Sequence, residues 1–309
     1  MHRRSFLIGS AALLAGAAFR PPAFAAFPRQ FAPLPQGRIA YVDRGRGPVT
    51  LFLHGFPLSS FQWRDAIARL SEHRRCLAPD WMGLGQTEVA PNQSVAPAAQ
   101  AEMLAAFLDH LGVHEVDLIA NDSGGAIAQL FLTRYRQRVR SLLLTNCDVE
   151  NDSPPPAVLP IIELARTGLY PELYLEPWYS HKDEARAATG LGGMCFSNPA
   201  NPTDEAIEQY LGPLVSSPER KALVNRYALG LAPNPLAGIA EKLRECKLPV
   251  RIVWGMGDTI FSPNGPGYLA GLMPQATIRR LEKAKLFWPE EYPEVIVEEA
   301  NRLTNRKHL

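Results

Sequence analysis

An excess of charge of either sign is missing from this sequence. Its 309 residues include 32 lysines and arginines against 31 aspartates and glutamates, a formal net charge of +1. Nucleic-acid-binding domains carry clustered basic residues, and this chain has no basic run outside its terminal segments. No nucleic acid partner is therefore expected, and the composition is that of an ordinary globular protein.

Clustered cysteines are missing as well. The four cysteines lie far apart, and no interval between them has the short spacing of a metal-binding pair. Cys76 and Cys147 fall in segments predicted as buried strands, so core thiols are favoured over disulfide bridges. The sequence thus predicts neither a metal nor a cofactor.

A long hydrophobic run is also missing, apart from a short one near the N terminus. Arg3 and Arg4 precede an apolar run at residues 6–19, which is short for a membrane span. Residues 23–25, Ala-Phe-Ala, form a small-x-small cleavage site. The pattern resembles a twin-arginine export signal. We expect residues 1–25 to be removed, leaving a periplasmic or secreted protein with no stable membrane anchor; a retained anchor is the alternative.

The most informative stretch is residues 116–125, a short apolar strand followed at once by glycines and a helical pattern. Such a nucleophile elbow raises one side chain above the sheet and directs the first helical amides toward it. The residues two before, two after and three after the raised one must be small. With Asp122 raised, these positions are Ala120, Gly124 and Gly125. With Ser123 raised, Asn121 fits poorly, so Asp122 is preferred; a strand–turn–helix without chemistry is the third possibility.

Strand and helix patterns alternate on both sides of this stretch. A turn at residues 44–48 suggests that the first two strands form a hairpin, and the later rhythm indicates a mostly parallel sheet flanked by helices. The other predicted strands are residues 38–43, 49–53, 75–79, 141–146, 251–254 and 276–281. The predicted helices are residues 61–71, 98–111, 126–138, 236–243 and 293–304.

The alternation stops between residues 149 and 235. This segment is rich in proline and tyrosine, has several short helical patterns and lacks the pattern of a buried strand. We predict that residues 149–235 form a helical cap inserted between two parts of one α/β core, residues 26–148 and 236–309.

Four motifs, in this order and spacing, resemble those of the α/β-hydrolase superfamily. They are residues 54–57 (His-Gly-Phe-Pro), 80–85, 120–125 and 254–258 (Trp-Gly-Met-Gly-Asp). With an aspartate at the elbow, the chain resembles haloalkane dehalogenases, epoxide hydrolases and haloacetate dehalogenases. The resemblance implies an α/β-hydrolase fold with a helical cap and a hydrolase of small apolar molecules.

The resemblance also implies roles for single residues. Asp122 would attack carbon and form an alkyl ester. The backbone amides of Phe56 and Ser123 would form the oxyanion hole for hydrolysis of that ester. Asp258 would orient a catalytic histidine, and Asp148 is the alternative position for this acid. Supporting positions are His54, Gly55 and Gly124.

The histidine itself is missing. The family places it after the last strand, where residues 281–291 align Leu286 with it, and no histidine lies between His181 and His308. Leucine cannot accept a proton from water, so the base is absent or another residue supplies it. The candidates are His54, His181, Glu290 and Glu291.

Three functions therefore stay open. The leading one is a hydrolase with Asp122 as nucleophile; the others are a ligand-binding protein that lost its base and a non-hydrolytic lyase or isomerase. Haloalkane dehalogenases usually place tryptophan after the nucleophile and haloacetate dehalogenases place arginines there, where this chain has Ser123 and Ala126. Epoxide hydrolases use cap tyrosines, and the predicted cap contains five. The sequence does not indicate an oligomeric state.

Overall fold

The computed structural model describes residues 28–305, so the predicted export signal at residues 1–25 lies outside the described residues. One nine-stranded sheet forms the centre of this part of the chain. Its strands are β1 Gln30–Leu34, β2 Gly37–Arg44, β3 Val49–Leu53, β4 Arg75–Pro79, β5 Glu88–Val89, β6 Val116–Asp122, β7 Val139–Cys147, β8 Val250–Gly255 and β9 Ala276–Leu281.

The sheet is parallel through most of its width, as the alternation predicts. Its order is β1-β2-β4-β3-β6-β7-β8-β9, with β5 beside β2 at one end. Neighbouring strands from β4 to β9 run parallel, whereas β1, β2 and β5 pair antiparallel. Every residue of β6 is buried, as expected for a parallel strand covered on both faces. The central strands therefore direct their carboxyl ends to one edge.

The hairpin expected at residues 44–48 does not form. β2 pairs antiparallel with β4, and β3 pairs parallel with β4 and β6, so β4 lies between the two strands. Four of the five residues of β3 are fully buried, whereas β2 has exposed ends. The free energy gained by burying the more apolar strand β3 near the centre of the sheet outweighs the advantage of pairing two strands joined by a short connection.

Helices pack on both faces of the sheet. Successive strand residues alternate between two apolar layers: Leu118 and Ala120 of β6 face one layer, and Ile119 faces the other. The first layer contains Phe107 and Ile127. The helices are α1 Arg64–Leu70, α2 Pro97–His110, α3 Ser123–Arg134, α4 Leu159–Arg166, α5 Glu176–Ser180, α6 Lys182–Arg186, α7 Leu191–Cys195, α8 Asp204–Val215, α9 Pro218–Leu229, α10 Ala240–Arg244, α11 Gly265–Leu272, α12 Trp288–Glu291 and α13 Pro293–Asn305. Among residues 28–305, none of them is long and apolar enough to cross a bilayer.

Helices α4 to α9 all lie between β7 and β8. Two partly buried arginines connect this helical segment to the core. Arg220 of α9 donates to the carbonyls of Gly85 and Thr87, at 2.5 and 2.7 Å. Arg64 of α1 pairs with Glu290 at 2.7 Å, and Tyr210 of α8 donates to the same carboxylate at 2.5 Å. These contacts hold the helical segment over the carboxyl ends of the strands.

Candidate active site

Asp122 lies at the turn between β6 and α3. Its backbone has φ of +56° and ψ of −134°, a conformation that costs a non-glycine residue about 1–3 kcal/mol. The predicted need for small neighbours has a direct steric cause. A Cβ on Gly124 would lie 2.5 Å from the carbonyl oxygen of Leu53, and one on Gly125 would lie 2.3 Å from Cβ of Cys147. Asp122 is therefore the raised residue, and Ser123 is the first residue of the helix.

Two backbone amides converge on one oxygen of Asp122. The amide of Phe56 donates to Oδ1 at 2.7 Å, and the amide of Ser123 donates to the same oxygen at 2.5 Å. Burial raises the pKa of Asp122, and these two hydrogen bonds, together with one from the side chain of Ser123, oppose that rise. The two amides therefore fix the position of Oδ1.

His54 and Gly55 hold the loop that carries the first of these amides. His54 is fully buried, its Nε2 accepts from the amide of Trp81 at 3.1 Å, and its Nδ1 lies 2.9 Å from the carbonyl oxygen of Gly55. Burial lowers the pKa of His54 to about 4, so the ring is neutral with both nitrogens occupied. A Cβ on Gly55 would lie 2.7 Å from Cβ of Asp122. His54 is thus committed to the loop and is not free to activate water.

Asp258 follows β8, and its carboxylate accepts from amide groups. Oδ2 accepts from the side chain of Asn146 at 2.8 Å, and Oδ1 accepts from the backbone of Ile260 at 2.8 Å. Burial raises the pKa of Asp258 to about 6. Asp258 also lines a cavity of about 330 Å³, together with Asp152 and the loop at residues 259–263. The expected acid is present, and the side chain of Asn146 is hydrogen-bonded to it.

Apolar side chains fill the position expected for the histidine. Leu286 is buried, and its carbonyl oxygen accepts from the side chain of Asn121 at 3.1 Å. The ring of Phe287 is fully buried and would lie 3.0 Å from a Cβ on Gly55. Neither side chain can accept a proton, so this loop contributes packing around Asp122.

The other candidate bases are engaged elsewhere. The side chain of His181 is 70% exposed and lies 3.9 Å from Glu184. Glu290 is bound by Arg64 and Tyr210, as described above. Glu291 accepts backbone amides of Ser197 and Asn198, at 3.0 and 2.7 Å. A general base must lie close to Asp122 and have an atom that is free to accept a proton from water. None of these three side chains meets both conditions.

Two tyrosines that the sequence did not distinguish from the others lie near the elbow. The hydroxyl of Tyr227, in α9, lies 3.1 Å from Oγ of Ser123, and its ring stacks on Phe56 at 5.4 Å. Tyr170 approaches Phe56 from another side, at 5.7 Å between ring centroids. Burial raises the pKa of both phenols, so both stay protonated at neutral pH. Their selection depends on how the helices fold over the core, which a linear pattern does not reveal.

Asp148, the alternative acid position, is buried directly after β7. The hydroxyl of Ser153 donates to its Oδ1 at 2.8 Å. Burial, and secondly the charge of Asp122, raise the pKa of Asp148 to about 7. Among residues 28–305, no group of three or more histidines, cysteines or carboxylates is placed to hold a metal ion. The four cysteines are free and buried, which confirms the prediction made for Cys76 and Cys147.

Comparison with known proteins identifies the family. Residues 48–285 match the α/β hydrolase fold. Haloalkane dehalogenase 2 of Mycobacterium tuberculosis is 27% identical over 279 residues, covering 84% of this chain and 89% of that protein. Bifunctional epoxide hydrolase 2 of Sus scrofa is 25% identical over 78% of this chain and 48% of its own length. The structure of a thermophilic esterase from Thermogutta terrifontis superposes with a TM-score of 0.71 at 25% identity, over 91% of this chain and all of that one. The chain belongs to the α/β hydrolase fold family, and it resembles the haloalkane dehalogenases and epoxide hydrolases within it.

Proposed function

We propose that this protein is a hydrolase in which Asp122 attacks a small apolar electrophile and forms a covalent alkyl ester. One observation carries the proposal: a buried carboxylate on a strained turn has one oxygen held by the amides of Phe56 and Ser123. The strain and the burial both cost free energy. A structural aspartate needs neither of them, whereas a nucleophile needs both a fixed direction and a dry surrounding.

The geometry suggests a different role for each carboxylate oxygen of Asp122. Oδ2 attacks carbon, and a halide or an alkoxide leaves. Oδ1 then becomes the carbonyl oxygen of the ester and takes up negative charge when water attacks Cγ. Each amide in such a site is typically worth about 3–4 kcal/mol of transition-state stabilisation. The same two amides therefore position the first step and stabilise the second.

The surroundings favour an epoxide over a haloalkane. A departing halide needs hydrogen-bond donors, but the two positions that supply side-chain donors in haloalkane dehalogenases are Phe56 and Ser123 here. An opening epoxide needs a proton donor for its oxygen, and the buried hydroxyl of Tyr227 lies beside Ser123. A protonated phenol can donate a hydrogen bond, and then its proton, to the more basic alkoxide oxygen that forms.

If no other residue replaces the missing histidine, the second step is expected to be slow compared with that of the family. The position aligned with the catalytic histidine is Leu286, and a positioned general base typically accelerates such a step about 10²–10⁴-fold. Alkylation of Asp122 does not need that base. The ester should therefore persist for longer than in enzymes with the histidine.

Intact-mass spectrometry tests the proposal. Mature protein incubated with 1,2-epoxyhexane should gain the mass of the whole epoxide, and with 1-bromohexane it should gain one hexyl group with loss of bromide. Asp122→Asn should show neither gain. Asp109→Asn is the matched control, since Asp109 is a surface residue paired with Arg138. An adduct that survives in Asp122→Asn would refute the nucleophile assignment.

A ligand-binding protein without turnover is the second candidate, and the apolar side chain at position 286 favours it. In that case neither probe leaves an adduct or a product. Reversible binding of the corresponding diol or alcohol, measured by calorimetry, would then support the binding function.

We also propose that the protein is exported and that its mature form begins near Ala26. The paired arginines Arg3 and Arg4 and the cleavage site at residues 23–25 support this. N-terminal sequencing of protein from a periplasmic or secreted fraction should begin near Ala26. Full-length protein confined to the cytosol would contradict the proposal.

A further inference from the structure

A second carboxyl group lies beside the elbow, at the end of the neighbouring strand. Cys147, the last residue of β7, is the register partner of Asp122, and Asp148 is the next residue along the chain. Neighbouring strands lie about 4.8 Å apart. Asp122 and Asp148 therefore leave the same edge of the sheet side by side, under the helical segment that covers it.

The groups around Asp148 come from three elements. Asp122 faces it from β6, Tyr227 faces it from α9, and Cys147, Asp152 and Ser153 belong to its own strand and loop. No ion pair within residues 28–305 includes Asp148. With Asp122 as its nearest charge and no cation to oppose it, this buried carboxyl gains and loses its proton near neutral pH.

Asp148 is also less committed than the other nearby carboxyl group, that of Asp258. Asp258 accepts three amide hydrogen bonds, from the side chain of Asn146 and the backbone of Ile260 and Phe261. Asp148 accepts the hydroxyl of Ser153 and its own backbone amide. Hydrogen bonds to a carboxylate weaken it as a base, so Asp148 is the better proton acceptor.

We infer that Asp148 acts as the general base for hydrolysis of the ester on Asp122, in place of the histidine that the chain lacks. The inference rests on the proposed function, because it needs the ester to form. It assigns to Asp148 direct contact with the attacking water. The residue would thus do chemistry itself, whereas the acid at this position in the family only orients a histidine.

Hydrolysis of the ester needs no reactant other than water. Asp148 takes one proton from water while the water oxygen bonds to Cγ of Asp122, and the carbonyl electron pair moves to Oδ1. The Phe56 and Ser123 amides hold that oxyanion. The bond from Cγ to the alkyl oxygen then breaks, and the alkoxide takes the proton from Asp148. The alcohol leaves, and Asp122 remains as a carboxylic acid that loses its proton to solvent.

The test measures formation and decay of the adduct separately. Protein is mixed with 1,2-epoxyhexane, excess reagent is removed, and intact mass is followed over time between pH 5 and 9. Asp148→Asn should form the adduct within a few-fold of the wild-type rate but lose it about 10²–10⁴-fold more slowly. Wild-type decay should rise with pH up to about 7 and then level off, whereas the variant should lack this rise. Asp148→Glu should recover part of the decay rate.

Folding is checked in the same samples. Because the pKa of Asp148 is raised, the folded protein binds one more proton than the unfolded chain between about pH 4 and 7. The free energy of unfolding therefore falls as pH rises through that window, and the charged Asp148 carboxylate destabilises the folded protein above it. Asp148→Asn should therefore melt no lower than wild type at pH 8, and a slower decay cannot then be attributed to unfolding. Asp109→Asn is again the surface control.

The outcomes distinguish the two proposals. Equal decay of the adduct in wild type and Asp148→Asn, with an unchanged pH profile, overturns Asp148 as base and leaves Asp122 as nucleophile. Absence of any adduct in rapid-quench samples of wild type and Asp148→Asn overturns both proposals. Rapid turnover by wild type, with an adduct that accumulates only in Asp148→Asn, supports both.

Discussion

The elbow at residues 120–125 and the post-β9 segment at residues 282–291 meet around the same aspartate, but different forces hold them. The elbow keeps a strained backbone, and two amides converge on one buried oxygen. The post-β9 segment places buried apolar side chains, Leu286 and Phe287, around the site. Its one buried carboxylate, Glu290, is neutralised by Arg64. The first region has features that cost free energy, a strained backbone and a buried carboxylate, whereas the second consists mainly of apolar packing.

This difference separates the two halves of a two-step reaction. Forming an ester requires a directed carboxylate, which the elbow supplies. Hydrolysing that ester requires an activated water, which a leucine and a phenylalanine do not supply. Backbone strain at Asp122 lowers stability, and a protein without catalytic activity gains nothing from it. The comparison therefore favours a protein that still performs at least the first step.

The largest effect is expected from Gly124→Ala, which introduces a steric clash within the elbow. The new Cβ would lie 2.5 and 2.6 Å from the carbonyl oxygens of Leu53 and His54. Both contacts are with backbone, so β3 must shift and carry the Phe56 amide away from Asp122. We expect a loss of about 3 kcal/mol or more in unfolding free energy and no adduct, as measured by urea denaturation and intact mass.

Gly271→Ala in α11 is the matched control, because its Cβ would meet nothing within 4 Å. A helical glycine replaced without strain gains roughly 0.4–1 kcal/mol. If Gly124→Ala proves as stable as Gly271→Ala and still forms the adduct, then close backbone approach is not what requires a small residue at the elbow.

The next largest effect is expected from Leu286→His, which would return a base to the post-β9 segment. In the Asp148→Asn background, which lacks the proposed base, decay of the ester should accelerate about 10²–10⁴-fold if the imidazole reaches the site, with ester formation little changed. Leu286→Gln is the control, since it places a polar side chain of similar length there without a basic group. Equal acceleration by both variants would attribute the effect to hydration of the segment rather than to proton transfer.

Glu290→Gln tests whether the same segment is structural. The change leaves the buried guanidinium of Arg64 without its counter-ion, and removal of one partner of a buried pair costs about 3 kcal/mol or more. Adduct formation and decay should stay at wild-type rates in protein that remains folded. Glu163→Gln, at an exposed pair with Arg166, should leave the melting temperature unchanged. A slower decay in Glu290→Gln would restore Glu290 as a candidate base.

The sequence predicted the elbow well because its signals are local. Small residues around Asp122 and the order of the four motifs all lie within short stretches, and the predicted strands at residues 49–53, 75–79 and 276–281 match β3, β4 and β9. The edge strand β1 was missed, since it is short, half exposed and contains a proline. Its pairing with β2 is a property of the finished sheet.

The rest of the site depends on tertiary packing, which the sequence pattern does not contain. Nothing in the chain distinguishes Tyr227 from the other tyrosines of residues 149–235 until α9 folds over Phe56. The raised pKa of Asp148 arises from burial, and secondly from Asp122, a neighbour 26 positions earlier in the sequence. The commitment of Glu290 to Arg64 likewise appears only when α12 packs near α1. Sequence motifs thus identified the raised aspartate of the elbow, and the folded structure identified its neighbours.

The smallest effect is expected at Asp258, and it links the two regions. In the family the acid at this position orients the catalytic imidazole, but position 286 is leucine here. The carboxylate of Asp258 instead accepts hydrogen bonds from Asn146 and Ile260. Asp258→Asn should therefore change ester decay by less than about threefold in the wild-type background. In the Leu286→His background the same change should remove most of the acceleration, because the new imidazole would lose the partner that fixes its tautomer. The double-mutant cycle measures this coupling directly, and equal effects in both backgrounds would show that Asp258 acts independently of any base at position 286.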